Sequence, residues 1–350
     1  MSVLNMEIRK ITRQKKLIIP ADKTSNRYLV DHNEYMKIKD REVQKDYKKE
    51  SLINVEAVAK EHAKIVSDLE IANRVFKTTE RESFVTLKDH KEDFESNPKV
   101  RLLNPMKPHM GKVAMKKLDN IVKNVREQQT HLKQAISTKD VLMWFDAIDK
   151  KENCKFINFD IESFYPSITE ELLKKSLIWA SEYTQLSDFD TEVILSASKS
   201  FLCHKGELWV KKGGSEFDIS MGAYHGAQAC ELVGLFMLHE LAKIPNLEAI
   251  LYRDDGLGIP RSTPRQTEKL RQAIIEVFKK HGLRITIMTG LKKVNFLDVT
   301  LDLDDGVYKP YRKPGDKPMY VNAASNHPPM VIKNIPLGIN RRLVDISSNK

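Results

Sequence analysis

Apolar and polar positions change period several times along the 350 residues, and each change marks an element. Residues 51–76, SLINVEAVAKEHAKIVSDLEIANRVF, repeat apolar positions at helical spacing, and the highly charged first 75 residues read as an N-terminal helical extension. Residues 83–105, SFVTLKDHKEDFESNPKVRLLNP, hold two short β-prone runs around a polar loop, a hairpin that carries basic residues. From 155 onward the elements alternate. KFINFDI is a short apolar strand, and TEELLKKSLIWASEY is a helix whose first-turn acids suit its dipole. HKGELWVKKGGSEFDIS has room for a strand and turn, and HGAQACELVGLFMLHEL is a largely buried helix. EAILYRDDGLGI is two apolar runs meeting at a turn, a hairpin by its Asp-Gly signal. Thr263, Pro264 and Gln266 supply an N-cap, an N1 proline and a capping-box glutamine for the next helix. That helix faces inward through Leu270, Ile274, Val277 and Phe278 and stops at Gly282. RITIMT, VNFLDVTLDL and GVYKPYRK are three further strands. The order implies an α+β domain whose antiparallel sheet is covered by helices on one face.

Composition narrows the class. With 41% hydrophobic and 30% charged residues the chain is an ordinary soluble globular protein, long enough for one large or two ordinary domains. No apolar run approaches the ~20 residues a membrane span needs, and the N-terminus lacks an apolar signal core. The expectation is an intracellular protein, nuclear or cytoplasmic, that is not secreted and does not enter a membrane. Cys154, Cys203 and Cys230 form neither a CxxC pair nor a zinc framework and are expected to be small core residues. The net charge of +10 is concentrated: residues 99–133 hold nine Lys/Arg against two acids, and residues 309–342 seven against one. Such stripes suit a phosphate backbone, although charge alone favours a solvated face.

Candidate chemistry begins with Asp-Asp-Gly, which occurs twice. In FLDVTLDLDDGVYKPY the sequence alternates apolar residues with Asp298, Thr300 and Asp302, one wet face of a hairpin, so Asp304 and Asp305 read as solvated turn residues. In ILYRDDGLGI the flanks are apolar, so Asp254 and Asp255 emerge from strands buried on at least one face, where clustered carboxylates require cations. An isolated pair of this kind is still more often a plain turn. A third carboxylate changes the balance: Asp160 ends the apolar strand of FINFDIESFYPSI, and an antiparallel sheet can set it beside the hairpin. Carboxylates converging there would hold two divalent ions ~3.5–4 Å apart. Oxygen donors without histidine or cysteine favour Mg²⁺, with Mn²⁺ as the substitute, and two such ions serve in-line phosphoryl displacement.

Taken in order, FDIESFY and YRDD resemble the A and C motifs of the reverse transcriptase palm, and SMGAYHGAQACELVGLFML between them resembles the B motif. Lys88 in TLKDHK and Arg101 in PKVRLLNP resemble the two basic positions of the fingers hairpin. VNFLDVTLDLDDGVYKPYRKPGDKPMYVN followed by SNHPP is most similar to the region downstream of the palm in Penelope-like retroelements. The resemblance spans residues 80–340. It implies a right-hand polymerase: an extension over 1–75, fingers over 76–150, a palm over 151–303 and a basic region over 304–350 that leaves little length for a thumb. The implied activity is RNA-directed DNA synthesis from an RNA template, a DNA primer and dNTPs. Asp160 and Asp254 would hold both metals, Asp255 would support them, and the carbonyl of Ile161 would add a ligand. Tyr165 would sit beneath the sugar as a gate against a 2′-hydroxyl, and Tyr252 would pack near the primer end. Lys88 and Arg101 would neutralise triphosphate charge, and Gly222 and Gly226 would let template and nucleotide approach the backbone. Lys292 or Lys293 would protonate departing pyrophosphate. Met221 stands where many family members have glutamine, with Gln228 downstream. No HExxH and no GIY-YIG-type nuclease sequence accompanies these motifs. The competing expectation is a catalytically impaired, retroelement-derived protein that binds RNA or DNA. An RNA-templated RNA polymerase shares the metal chemistry but is disfavoured by an aromatic at Tyr165.

Overall fold

A short, largely apolar strand suits the interior of a sheet, and FINFDI is paired on both edges. The computed structural model describes residues 15–22, 26–50, 52–70, 82–89, 93–105, 108–213, 216–260, 264–313, 321 and 325–348, and Thr263 of the expected cap lies outside them. The chain divides into two compact units. One comprises residues 116–191, 227–314 and 320–350, the other residues 1–115, 192–226 and 315–319.

In the first of these, Phe156–Ile161 sits in a five-stranded sheet between Ile285–Leu291 and Asp255–Pro260, with Leu247–Tyr252 and the short Lys133–Gln134 beyond. Pairing is antiparallel except at Lys133–Gln134. The four longer strands, taken in chain order, are arranged 4-1-3-2 with helices on the crossovers, a ferredoxin-like β-α-β-β-α-β arrangement. Strand alternation sends Ile157, Phe159 and Ile161 to one face and Phe156, Asn158 and Asp160 to the other. Helices cover the first face: Phe278 of Pro264–Lys280 packs on Phe159, ring centroids 5.6 Å apart, and Gly234 of Gly226–Ala242 lies against Leu251. On the other face Phe156, Ile250, Leu257 and Ile259 pack with Val141 and Phe145 of the Thr138–Asp146 helix and with Val294, Phe296 and Val299. That apolar cover ends short of Asp160, which is exposed.

VNFLDVTLDL is two strands rather than one. Leu297 adopts a left-handed φ of +55°, so Lys293–Phe296 folds back on Val299–Asp302, and Val307–Pro310 completes a three-stranded antiparallel sheet. The expected wet face is also corrected: Thr300 and Asp302 are each only 7% exposed. Both are satisfied, Thr300 by donating to Asn295 at 2.7 Å and Asp302 by Lys293 at 2.7 Å. The helix Pro329–Asp345 is tied to this region by Arg342 on Asp298 at 2.6 Å, by buried Ile346, and by Ser348 bonded to the backbone of Tyr308.

In the other unit, the hairpin Phe84–Leu87 with Val100–Leu103 is present as its sequence implies. The first 75 residues contain more than helices. Lys16–Pro20 and Arg27–Asp31 pair as an antiparallel hairpin, followed by the helix His32–Asp46 capped by the Asp31 carboxylate. Ile19, Val85, Leu87 and Val100 form the core there, with Tyr28, Tyr35 and Phe94 packed against it. Among the described residues no helix is long and apolar enough to cross a membrane.

Candidate functional site

The Asp-Gly signal predicted the correct hairpin but the wrong turn. Tyr252 pairs with Asp255, so the loop is the two residues Arg253 and Asp254, and Asp255 and Gly256 already belong to the strand. Arg253 takes the left-handed φ, +54°, at a cost of about 1–2 kcal/mol for a residue with a side chain. Its guanidinium lies 5.6 Å from the Tyr252 ring centroid, a contact that offsets part of that cost. Gly256 is required by space: opposite it across the sheet is Phe159, and a β-carbon there would lie 2.1 Å from the ring.

The strand register then assembles the acidic site. Asp255 is the direct cross-strand partner of Asp160, so both carboxylates leave the same face of the sheet. Asp254 stands beside them, its carbonyl accepting a 2.9 Å hydrogen bond from the Ile161 N–H. Asp160 is exposed, Asp254 and Asp255 are half-buried, and Ile161 is buried. On the far edge Thr286 is the partner of Asp160 and is exposed, giving a polar row Asp255, Asp160, Thr286 that sequence reading missed because pairing of distant strands carries no local signal. Among the described residues no lysine or arginine forms an ion pair with the Asp254 side chain. Nor does any group of three or more His, Cys, Asp or Glu side chains among them stand already gathered as a metal site. The donor set is oxygen only, two opposed carboxylates and a third on the adjoining loop, which fits a hard divalent cation.

Tyr165 belongs to the same neighbourhood. It follows Ser163, whose φ of +49° turns the chain from the strand into the one-turn helix Phe164–Ser167. Burial pushes its hydroxyl up to about 12, with Cys230 and Asp254 adding to the shift and Arg253 opposing it, so the phenol stays neutral at physiological pH. Cys230 is the buried residue the sequence suggested, but it also accepts a role there, since burial raises its thiol well above the ordinary range while Tyr165 hydrogen-bonds it. Two residues before it, Gln228 has a buried side-chain oxygen without a hydrogen-bond partner among the described residues. Tyr252 is half-buried against the apolar cluster around Ile250. Lys292 donates to the Glu152 carbonyl and pairs with Asp304 of the second Asp-Asp-Gly turn at 3.0 Å, while Lys293 pairs with Asp302 of the strand before it, so both candidate lysines are engaged.

The remaining candidates lie in the other unit. Arg101 pairs with Thr86 across the hairpin and binds Asp22 at 2.8 Å, so any anion recruited there competes with that carboxylate. Lys88 continues the same hairpin, its N–H donating to the Lys99 carbonyl. Gly222 has a φ of +111°, and a β-carbon on it would lie 2.8 Å from the Asn104 carbonyl oxygen. Asn104 in turn donates its N–H to Met221 at 3.1 Å. Gly226 starts the helix Gly226–Ala242 and donates to the Ala223 carbonyl at 3.2 Å.

No protein-family model and no curated protein matches the chain. Solved structures do. A telomerase from Candida tropicalis truncated from its C-terminal domain superposes with a TM-score of 0.61 at 12% identity, over 88% of this chain and 66% of that one. A telomerase from Candida albicans in complex with a fragment of telomeric RNA gives 0.62 at 11%, over 91% and 57%. The BmCPV RNA-dependent RNA polymerase at elongation state gives 0.52 at 11%, over 98% and 30%. This chain therefore spans less than two thirds of each of these proteins. The α+β fold is that of right-hand polymerases of the telomerase and RNA-dependent RNA polymerase kind.

Proposed function

We propose that the protein is a reverse transcriptase of retroelement type, extending a DNA primer on an RNA template with dNTPs. The observation that carries this reading is the register that makes Asp160 and Asp255 direct partners, with Asp254 in the loop beside them. In the reaction the primer 3′-hydroxyl attacks the α-phosphorus of the dNTP, a new P–O bond forms, the α–β bridging bond breaks and pyrophosphate leaves. Asp160, Asp254 and Asp255, with the Ile161 carbonyl, would hold two Mg²⁺ ions, which lower the pKa of the attacking hydroxyl and stabilise the leaving group. Tyr165, whose hydroxyl is kept neutral by burial and feels the Asp254 charge, would serve as the gate against a ribose 2′-hydroxyl. Lys88 and Arg101 share one hairpin and would receive the triphosphate once it displaces Asp22 from the Arg101 guanidinium. The order of motifs through residues 294–329 supports a Penelope-like origin.

The likeness to a viral RNA-dependent RNA polymerase supports a second reading, RNA synthesis from rNTPs. Primer extension on an RNA template with Mg²⁺, offered either dNTPs or rNTPs, separates the two. Our reading expects dNTP incorporation only, and Tyr165→Ala to admit ribonucleotides. Preferential use of rNTPs by the wild type would contradict it, and no extension at all would favour a nucleic-acid-binding protein.

A further inference from the structure

The segment Met221–Gly226 is fixed from several sides, yet it holds one large side chain out to solvent. Gly222 is wedged beneath the Asn104 carbonyl, with the Asn104 N–H bonded to Met221. His225 is buried and bonded to the Ser198 hydroxyl at 2.9 Å. Gly111 of the Pro108–Gln128 helix leaves room for the segment to close on it, since a β-carbon there would stand 3.2 Å from Tyr224 Cβ. Between these anchors Tyr224 is 44% exposed, and the ammonium of Lys112, one residue after Gly111, lies 5.2 Å from its ring centroid. A rigid backbone carrying an exposed ring with a cation beside it has the two parts of a single-strand contact: a flat π-face for a base and a charge for its phosphate. Because the backbone of Tyr224 is already held, binding need not order the segment that carries the ring.

We propose that Tyr224 and Lys112 form a stacking subsite for an unpaired nucleotide, the ring taking the base and the lysine the adjoining phosphate. The assignment of a nucleic acid as the ligand rests on the polymerase reading, but the subsite is tested without catalysis. Stacking on one aromatic contributes about 1–3 kcal/mol per base, or roughly 5- to 150-fold in affinity. One phosphate contact on a single strand contributes about 0.7 to the salt slope.

The test is fluorescence anisotropy of labelled oligouridylate and oligothymidylate on the full chain without dNTP, over a range of salt, with thermal unfolding as the check on folding. Tyr224→Ala is expected to weaken binding about tenfold, Tyr224→Phe less than about twofold, and Lys112→Gln to weaken it and flatten the salt slope. Equal losses on the two oligomers would support an unpaired nucleotide of either strand, and a loss on oligouridylate alone would support an RNA strand. Unchanged affinity of Tyr224→Ala, equal loss in Tyr224→Phe, or an unaltered salt slope in Lys112→Gln would each overturn the proposal. An inactive wild type whose binding still depends on Tyr224 would sink the polymerase reading alone.

Discussion

Asp254-Asp255-Gly256 and Asp304-Asp305-Gly306 share three letters and almost nothing else. In the second, glycine is used for its backbone: Gly306 has a φ of +66°, and a β-carbon there would meet nothing closer than the Lys151 side chain at 3.7 Å. In the first, Gly256 lies in a strand and is required because Phe159 fills the space above it. The acids differ as well. Lys292 and Lys293 pair with Asp304 and Asp302, and the N–H groups of Asp304 and Asp305 point at the Asp302 carboxylate, a site closed on itself. At the first, the sheet sets the Asp160 and Asp255 carboxylates opposite each other, the pair to which our reading assigns a divalent cation. A dipeptide becomes a site through its cross-strand neighbours.

Two substitution pairs and two single substitutions sharpen or break that contrast. The largest effect is catalytic: Asp254→Ala should lower primer extension on the order of a thousandfold, and Asp305→Ala should stay within about twofold, measured as initial rates on one template. Comparable losses would erase the distinction. Next come the glycines, where Gly256→Ala should cost about 3 kcal/mol in denaturant unfolding by displacing Phe159, and Gly306→Ala about 1 kcal/mol. Phe159→Leu should recover part of the first loss and none of the second. A smaller effect concerns acid. Lys293 holds the Asp302 carboxyl below its ordinary range against the opposing influence of burial. A depressed carboxylate contributes stability that is present above pH ~4 and is lost as the pH falls through its folded value. Asp302→Asn should therefore lower the thermal midpoint at pH 7 and flatten the decline below pH 4. The smallest is Asp255→Asn: our reading expects Mg²⁺ to raise the thermal midpoint of the wild type, and the substitution to reduce that rise to within about 1 °C of the chelator value.

Histidine offers an independent reference for the acid limb. Burial holds His225 down at about 4, so it stays neutral in the folded protein. Its contribution is complete above pH ~6.5 and is lost as the pH falls toward 4, a span of about 2.5 units worth about 3 kcal/mol at most. His225→Gln should weaken the protein at pH 7 and reduce its sensitivity between pH 6.5 and 4, read as denaturant midpoints.

What was legible in the sequence was what local periodicity encodes. FINFDI, TEELLKKSLIWA and GAQACELVGLFMLHELA form the strand and helices their patterns imply, because each buries a face through its own spacing. The hairpin at 247–260 was legible in existence but not in register, since the Asp-Gly preference competes with Phe159, which only the paired strand reveals. Leu297 bending VNFLDVTLDL, and the burial of Asp302 beneath Lys293, were hidden for the same reason. The hairpin at 16–31 was masked by its charged setting, although Leu17, Ile19, Tyr28 and Val30 alternate within it. At the acidic site, Asp160 and Asp254 were readable from apolar flanks, whereas Thr286 and Cys230 depend on partners far away in sequence. In the other unit the anchoring of Arg101 on Asp22 was hidden for the same reason.

The central claim is that divalent ions occupy the first Asp-Asp-Gly segment and Asp160, and not the second. Fe²⁺ substituted for Mg²⁺ in the full chain with primer, template and dNTP, then exposed to ascorbate and peroxide, cuts the backbone where the metal sits, and mass spectrometry maps the cuts. The account predicts cleavage around residues 160 and 254, suppressed by excess Mg²⁺ and lost in Asp254→Asn. Cleavage around residues 302–306, or cuts that Mg²⁺ does not suppress, would contradict it.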